Sequence, residues 1–308
     1  MEISNLRAEG VSVVGTGTMG AAYIVRLSAL GVPVTVWNRT AAKAAALAAA
    51  HRNVTVAETL LGCVQASRTV LVACSPTREA VGAVCEQLAS AVRDKHVVFI
   101  VDAGLPQARM MEEILFEKGH AASVTNAALF GTAFAAMEGK GAVINASGRS
   151  VAADDVAARV VPFLGLFGAT TYHPGGTAIA SRFAMAGHMA FMPAFYALVH
   201  YVALMKKSGI DGNTALAYFQ STNRAMAEGF GPMLAAAFEK HDYSLFFGSH
   251  ALFADIHDGV AETCKTEGVD ARLAELMAEY HREAMREPAV AAKSFHSVHE
   301  LISVRGAK

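Results

Sequence analysis

Two clusters near the N-terminus have the residue types and spacing needed to hold a dinucleotide. The first is Gly15-Thr16-Gly17-Thr18-Met19-Gly20. It follows the apolar run Val11–Val14 and leads into Ala21, Ala22, Ile24, Val25, Leu27 and Leu30 at helical spacing, with Gly31 as the stop. In such a strand–turn–helix the first glycine makes the tight turn and the second lets the backbone approach a pyrophosphate. The third allows close packing of helix on strand. Gly15, Gly17 and Gly20 take these places, and Thr18 and Met19 open the helix beside the phosphates.

The second cluster selects between cofactors. A site for NAD usually carries Asp or Glu at the end of the second strand, where it holds the ribose 2'-hydroxyl. Here the run Val34–Trp37 is followed by Asn38, Arg39, Thr40 and Lys43. A carboxylate would repel a 2'-phosphate, whereas the Arg39 guanidinium grips one as a planar fork. Asn38 and Thr40 offer neutral donors, and Lys43 adds a solvated charge. Each charge-assisted hydrogen bond contributes about 1.5–3 kcal/mol, roughly tenfold or more in affinity. The expected cofactor is NADPH.

The rest of the chain must position these groups. A chain of 308 residues exceeds one compact core, so two domains are expected. Hydrophobic residues are 53% and charged residues 17%, which excludes extensive disorder. A formal net charge of −1 gives no electrostatic case for nucleic acid or an anionic membrane. Cys63, Cys74, Cys85 and Cys264 form no metal-binding spacing, and the first three read as buried, reduced thiols. Met1–Gly10 has no basic region followed by an apolar one, so no signal peptide is expected and the chain reads as cytoplasmic.

Strand-like runs at Val11–Val14, Val34–Trp37, Val54–Val56, Val70–Cys74, Val97–Asp102, Val124–Leu129 and Ala142–Asn145 alternate with helical patterns such as Arg78–Val92 and Gln107–Lys118. This predicts an α/β domain with a mainly parallel sheet covered on both faces. A helix at Ala152–Phe163 and a strand at Thr170–Tyr172 close it. After Gly175-Gly176 strand signals vanish. Helices are expected at about 178–207, 212–226, 232–239, 244–267 and 270–286, with a short final one after Pro288. The division expected is a nucleotide-binding domain over 1–174, an interdomain helix over 175–207 and an all-helical domain over 208–308. From Phe183 to Met205 the chain has 23 residues without Lys, Arg, Asp or Glu, enough to span a bilayer. His188, Pro193, His200 and two tyrosines within it favour a helix buried in protein.

The order GTGTMG, then VWNRTAAKAAAL, then a strand ending in an apolar–glycine turn, then a glycine-rich entry to a long helix resembles the β-hydroxyacid dehydrogenase superfamily, and within it the NADPH-dependent imine reductases and reductive aminases. The resemblance implies a Rossmann domain, a long interdomain helix and a helical domain exchanged between two chains of a homodimer. The dehydrogenases of that superfamily carry Asp-Ala-Pro-Val-Ser-Gly, whose serine and glycine bind a substrate carboxylate. The matching residues are Asn126-Ala127-Ala128-Leu129-Phe130-Gly131, so Phe130 replaces the serine. Their catalytic lysine is matched by Arg182, with Met185 and Ala186 where an asparagine is expected. Imine reductases usually place Asp at the lysine position, and that Asp is also absent.

These replacements change the chemistry. Arg182 does not readily release a proton near neutral pH, so it is a poor acid for alcohol oxidation, although it could anchor a carboxylate. A cationic iminium needs only hydride from nicotinamide C4, which would dispense with a strong acid. The leading reading is therefore NADPH-dependent reduction of a C=N bond in a bulky, apolar imine or iminium. The alternatives are a hydroxyacid or semialdehyde dehydrogenase anchored by Arg182 and a non-catalytic NADPH sensor. Arg182, Asn126, Tyr218 and Tyr243 are the catalytic candidates. Cys74, Ser75 and Pro76 are expected beside the ribose and nicotinamide, and Leu129, Phe130, Met185 and Met189 around the substrate. His188, His250, Asp255 and His257 are further polar candidates. His188 lies obliquely to Arg182 on the long helix, and Asp255 and His257 diverge at i, i+2. Phe191, Phe195, Phe219, Met226, Phe230, Met233, Phe246 and Phe247 join Met185 and Met189 in a large apolar set that serves as core or as pocket lining. No metal site is expected.

Overall fold

The computed structural model describes residues 3–152, 156–244 and 248–305. An N-terminal helix α1 (Ile3–Glu9) precedes eight strands: β1 (Val11–Val14), β2 (Val34–Trp37), β3 (Val54–Val56), β4 (Thr69–Val72), β5 (His96–Ile100), β6 (Ser123–Phe130), β7 (Val143–Ser150) and β8 (Ala169–Pro174). They form one sheet in the order β3-β2-β1-β4-β5-β6-β7-β8. All neighbours are parallel except β6 and β7. Strands β1, β4 and β5 are buried on both faces, which is why their sequences are nearly continuous apolar runs.

The connecting helices are α2 (Thr18–Ala29), α3 (Ala41–Ala50), α4 (Leu60–Gln65), α5 (Arg78–Leu88), α6 (Leu105–Met111) and α7 (Ala133–Glu138), with α8 (Val161–Leu164) before β8. Two apolar layers sandwich the sheet. One packs Tyr23, Ile24 and Leu27 of α2 with Phe163 and Phe167; the other packs Val81, Cys85 and Leu88 of α5 with Met111 and Leu115. Cys63 and Cys85 lie inside, and burial pushes their thiols up to about 12. Cys264 is also buried and all four cysteines are free, while Cys74 is half-buried.

Some elements differ from their sequence patterns. The segment expected as one helix over Gln107–Lys118 is α6 followed by a π-helical stretch, Glu112–Lys118. The described part of the helix expected at Ala152–Phe163 is also π-helical, over Val156–Val160, before α8; residues 153–155 lie outside the described residues. Strand β7 runs to Ser150, beyond the expected Asn145, because antiparallel pairing with β6 supplies partners to its polar half from Phe130↔Val143 through Ser123↔Ser150. Helices α1, α4 and α7 are six or seven residues long, too short for periodicity to show.

After β8 the chain is helical: α9 (Ala178–Lys207), α10 (Gly212–Gly229), α11 (Gly231–Lys240), α12 (His250–Thr266), α13 (Arg272–Arg286) and α14 (Val298–Arg305), the last entered by a 3₁₀ turn. Asp211 caps α10 by accepting from Asn213 and Thr214, and Ser249 caps α12. The helix expected from 244 thus begins at His250; residues 245–247, with Phe246 and Phe247, lie outside the described residues. Two compact units, Met1–Ala190 and Phe191–Lys308, divide inside α9. The apolar stretch of α9 is not buried on all sides as its composition suggested. Ala180, Ser181 and Ala184 are its buried residues, whereas Met189, Phe191, Phe195 and Tyr196 are exposed. Length and composition alone would let this helix cross a membrane.

In the second unit, α12 and α13 pack through Ala261, Cys264 and Ala274. Beside them His250 Nδ1 lies 3.1 Å from His281 Nδ1 and His250 Nε2 lies 3.1 Å from the Ser297 hydroxyl. His257 stacks on His281 at 5.5 Å. Burial, reinforced by the neighbouring His250 and His257, holds His281 down at about 4. A histidine depressed in the fold contributes its full stability above its unfolded value, about 6.5, and loses it as pH falls toward 4. The melting temperature is therefore expected to fall between about pH 6.5 and pH 4. In His281→Gln the drop from pH 6.5 to 5 should be smaller than in the wild type, as read by differential scanning fluorimetry.

Candidate active site

The strand order reverses at β1, where β2 leaves to one side and β4 to the other, opening a crevice at the carboxyl ends of the strands. A cleft of about 760 Å³ lies there. At its centre the β1–α2 turn is drawn tightly onto β4. Gly15 has φ +103°, and a Cβ there would stand 2.1 Å from the Ala73 carbonyl oxygen; one on Gly20 would stand 2.2 Å from the Gly15 oxygen. A Cβ on Gly17, by contrast, meets nothing within 4 Å. The first and third glycines are thus required by the protein's own backbone, and the second keeps space clear for a ligand.

The groups around that space suit an anion. Gly17 is the N-cap of α2 with no side-chain capping bond, and the first turn of α2 has no acidic residue. Its first N–H groups and the positive end of its dipole remain available. The Thr16 hydroxyl oxygen is buried without a hydrogen-bond partner among the described residues. At the β2 end Arg39, Thr40 and Lys43 are exposed, and neither Arg39 nor Lys43 is in an ion pair among the described residues. Thr40 is the N-cap of α3 without a side-chain bond, so its hydroxyl and the α3 amino end face the same anion-binding corner. This cradle fits a dinucleotide carrying a further phosphate.

Asn38 has a different task from the donor role read from sequence. Its Oδ1 accepts from the Thr16 N–H at 3.1 Å and its Nδ2 donates to the Thr40 carbonyl at 2.9 Å. It ties the glycine turn to the β2–α3 turn, leaving Arg39, Thr40 and Lys43 as the outward groups. Every cofactor-side residue named from the sequence lines the cleft: Gly15, Gly17, Thr18, Met19 and Gly20; Asn38, Arg39, Thr40 and Lys43; and Cys74, Ser75 and Pro76. Leu129 lines it as well. Burial raises the Cys74 thiol to about 11, so it is un-ionised at neutral pH.

The other candidates are dispersed. Asn126 is fully buried and does not line the cleft; its Nδ2 donates to the Ser181 hydroxyl at 3.0 Å and the Thr177 carbonyl at 3.4 Å. It fastens α9 to β6. Thr177 also donates from its N–H and hydroxyl to Glu112 Oε2, each at 3.1 Å, and the Ala180 N–H donates to the Ser147 hydroxyl at 2.7 Å. Arg182 and Met185 follow on exposed positions of α9, and Arg182 makes no hydrogen bond or ion pair among the described residues. The far end of the Phe130 ring abuts the α9 backbone, where a Cβ on Gly187 would meet its Cζ at 2.0 Å. Tyr218 and Tyr243 belong to the second unit. Tyr218 is exposed and stacks with Tyr201 at 6.3 Å, while Tyr243 donates to Glu300 at 2.6 Å. Burial and the Glu300 carboxylate push the Tyr243 phenol up, away from proton release.

One pair was not assembled from sequence. Asp102, just beyond β5, lines the cleft, and its Oδ2 lies 3.0 Å from His188 Nε2. The Phe130 ring stands 5.9 Å from the imidazole. The available signal was a carboxylate at the end of a strand beside the switch point. Its distance from His188 in the chain hid the pairing.

Residues 10–175, more than half of the chain, match the family described as the NAD binding domain of 6-phosphogluconate dehydrogenase. The chain belongs to that family. Residues 176–304 match the C-terminal domain described as NADPH-dependent reductive aminase-like. No match was found among the curated proteins. Among solved structures, an imine reductase of Streptomyces aurantiacus has TM-score 0.85 and 23% identity, covering 96% of this chain and 99% of its own. A reductive aminase from Aspergillus terreus, in complex with NADPH and ethyl-5-oxohexanoate, has TM-score 0.83 and 21% identity over the same shares. An imine reductase from Myxococcus stipitatus, in complex with NADP+, has TM-score 0.80 and 20% identity, covering 95% of this chain and 99% of its own. The α/β fold with a long helix and a helical C-terminal region is thus that of the imine reductases and reductive aminases, as the sequence resemblance implied.

The glycines separate two effects. Gly17→Ala, at φ −65° with open space around it, should leave the unliganded melting temperature within about 1 °C and weaken dinucleotide binding tenfold or more. Gly15→Ala should lower the melting temperature itself, because its Cβ meets backbone. Thermal denaturation with and without NADPH reads both.

Proposed function

We propose that the protein is an NADPH-dependent oxidoreductase that reduces the C=N bond of an imine or iminium. The observation that carries this reading is the anion-binding corner of Arg39, Thr40, Lys43 and the α3 amino end, without a carboxylate, in a chain whose remainder is reductive aminase-like. NADPH when bound supplies hydride from nicotinamide C4. The α2 amino end and Gly17 hold the pyrophosphate, and Arg39 and Lys43 hold the 2'-phosphate. With the phosphates at β1 and the 2'-phosphate at β2, the nicotinamide half belongs over the ends of β4 to β6, beside Cys74, Ser75, Pro76 and Leu129.

The substrate side is apolar. Leu129, Phe130, Met185 and Met189 shape it, and this suits a bulky apolar amine precursor. Phe130 provides no donor for a carboxylate, and its ring is matched to Gly187. Arg182 stands at the position of the family's catalytic residue and acts on the substrate as a fixed charge. Tyr218 and Tyr243 are candidates from the helical unit. The exposed apolar face of α9, with Phe191, Phe195 and Tyr196, is covered by a second copy of the chain, and the homodimer is cytoplasmic.

NADPH oxidation followed at 340 nm with cyclic imines, bulky aromatic iminium ions and short oxo-acids tests the reaction. Turnover of the C=N compounds is expected; turnover confined to oxo-acids would establish the dehydrogenase alternative, and stabilisation by NADPH without any turnover the sensor. Arg39→Ala with Lys43→Ala should raise the Kd for NADPH tenfold or more while changing that for NADH less than about threefold. Sedimentation in detergent-free buffer should give a dimer that persists on dilution; a monomer there, or a requirement for detergent, would contradict the assembly.

A further inference from the structure

We infer that His188 is the proton donor to the substrate nitrogen and that Asp102 is the residue that positions it. The inference rests on the C=N reading and adds the group that reading leaves unassigned, since Arg182 is a poor source of protons. Asp102 is the one carboxylate that the cleft wall contains among the described residues, and it sits at the end of β5, where the nicotinamide half belongs. Its Oδ2 lies 3.0 Å from His188 Nε2. The two side chains are 37% and 44% exposed, so the pair is reachable from solvent and is not a sealed core contact.

The surroundings hold the imidazole in place. Phe130 packs beside the ring at 5.9 Å and lies on the backbone at Gly187, the preceding residue. The bonds from Asn126 to Ser181 and from Glu112 to Thr177 fix the first turns of α9 on the sheet. A carboxylate accepting from Nε2–H sets the ring's orientation, and Nδ1 has no hydrogen-bond partner among the described residues. Nδ1–H is therefore the donor.

The step balances. The Nδ1–H bond breaks and an N–H bond forms on the neutral imine, leaving neutral imidazole and an iminium. Hydride from NADPH then adds two electrons to the carbon, giving amine and NADP+, and water reprotonates His188. A permanently cationic N-methyl iminium requires no proton and bypasses the histidine.

The test compares an N-unsubstituted cyclic imine with the N-methyl iminium salt of the same ring, using NADPH and single-turnover absorbance. His188→Ala should lower the rate with the neutral imine about a hundredfold or more and change that with the iminium less than about threefold. Asp102→Asn should lose about tenfold on the neutral imine alone. Stabilisation by NADPH checks that both variants fold. Equal losses on both substrates, or none on either, would overturn the proton-donor role while leaving the C=N reading intact. No turnover of either compound by the wild type would remove that reading and this inference together.

Discussion

The fastening of α9 to the sheet is the constraint on which the placement of the first turns of this helix depends. Asn126, buried in β6, reaches Ser181 and Thr177, while Glu112 receives Thr177 and Ser147 receives the Ala180 N–H. These groups lie away from water, where an unmade bond costs about 1–3 kcal/mol. That penalty fixes the register of the helix, and the register decides which residues follow over the strand ends. Arg182, Met185, Gly187 and His188 take their places because Thr177 and Ser181 are held.

The dinucleotide side is set by a different constraint, backbone against backbone. Gly15 and Gly20 leave no room for a methyl group, so the turn and α2 sit directly on β4 and their N–H groups open into the cleft. Asn38 extends the same economy of contact to β2: one amide joins the glycine turn to the turn that carries Arg39. The dinucleotide side is thus built mainly from main chain, whereas the residues of α9 beside β6 are placed by side-chain hydrogen bonds.

Much of this was legible in the residue pattern because the signals are local. The apolar runs of β1, β4 and β5 are sandwiched between helices, so burial leaves a continuous imprint on their sequence. The long helix at 178–207 matched its pattern to the residue. The polar half of β7 was invisible, since its partners come from β6. The surroundings of α9 also misled. Apolar composition implied burial on every side, but composition cannot tell a buried helix from one whose face is left open in a single chain.

The sequence by itself determined the Rossmann domain, the glycine turn and the cationic end of β2, because each is encoded by neighbours within a few residues of one another. Only the tertiary structure decided what distant side chains do. It turned Asn126 inward as a tether, gave Asn38 a task between two loops, and seated Phe130 on Gly187. It also brought Asp102 to His188 across the sheet edge. Hydrogen bonds and ring contacts depend on distance in space, and residues so far apart in the chain carry no mark of their meeting until the strands and α9 are packed.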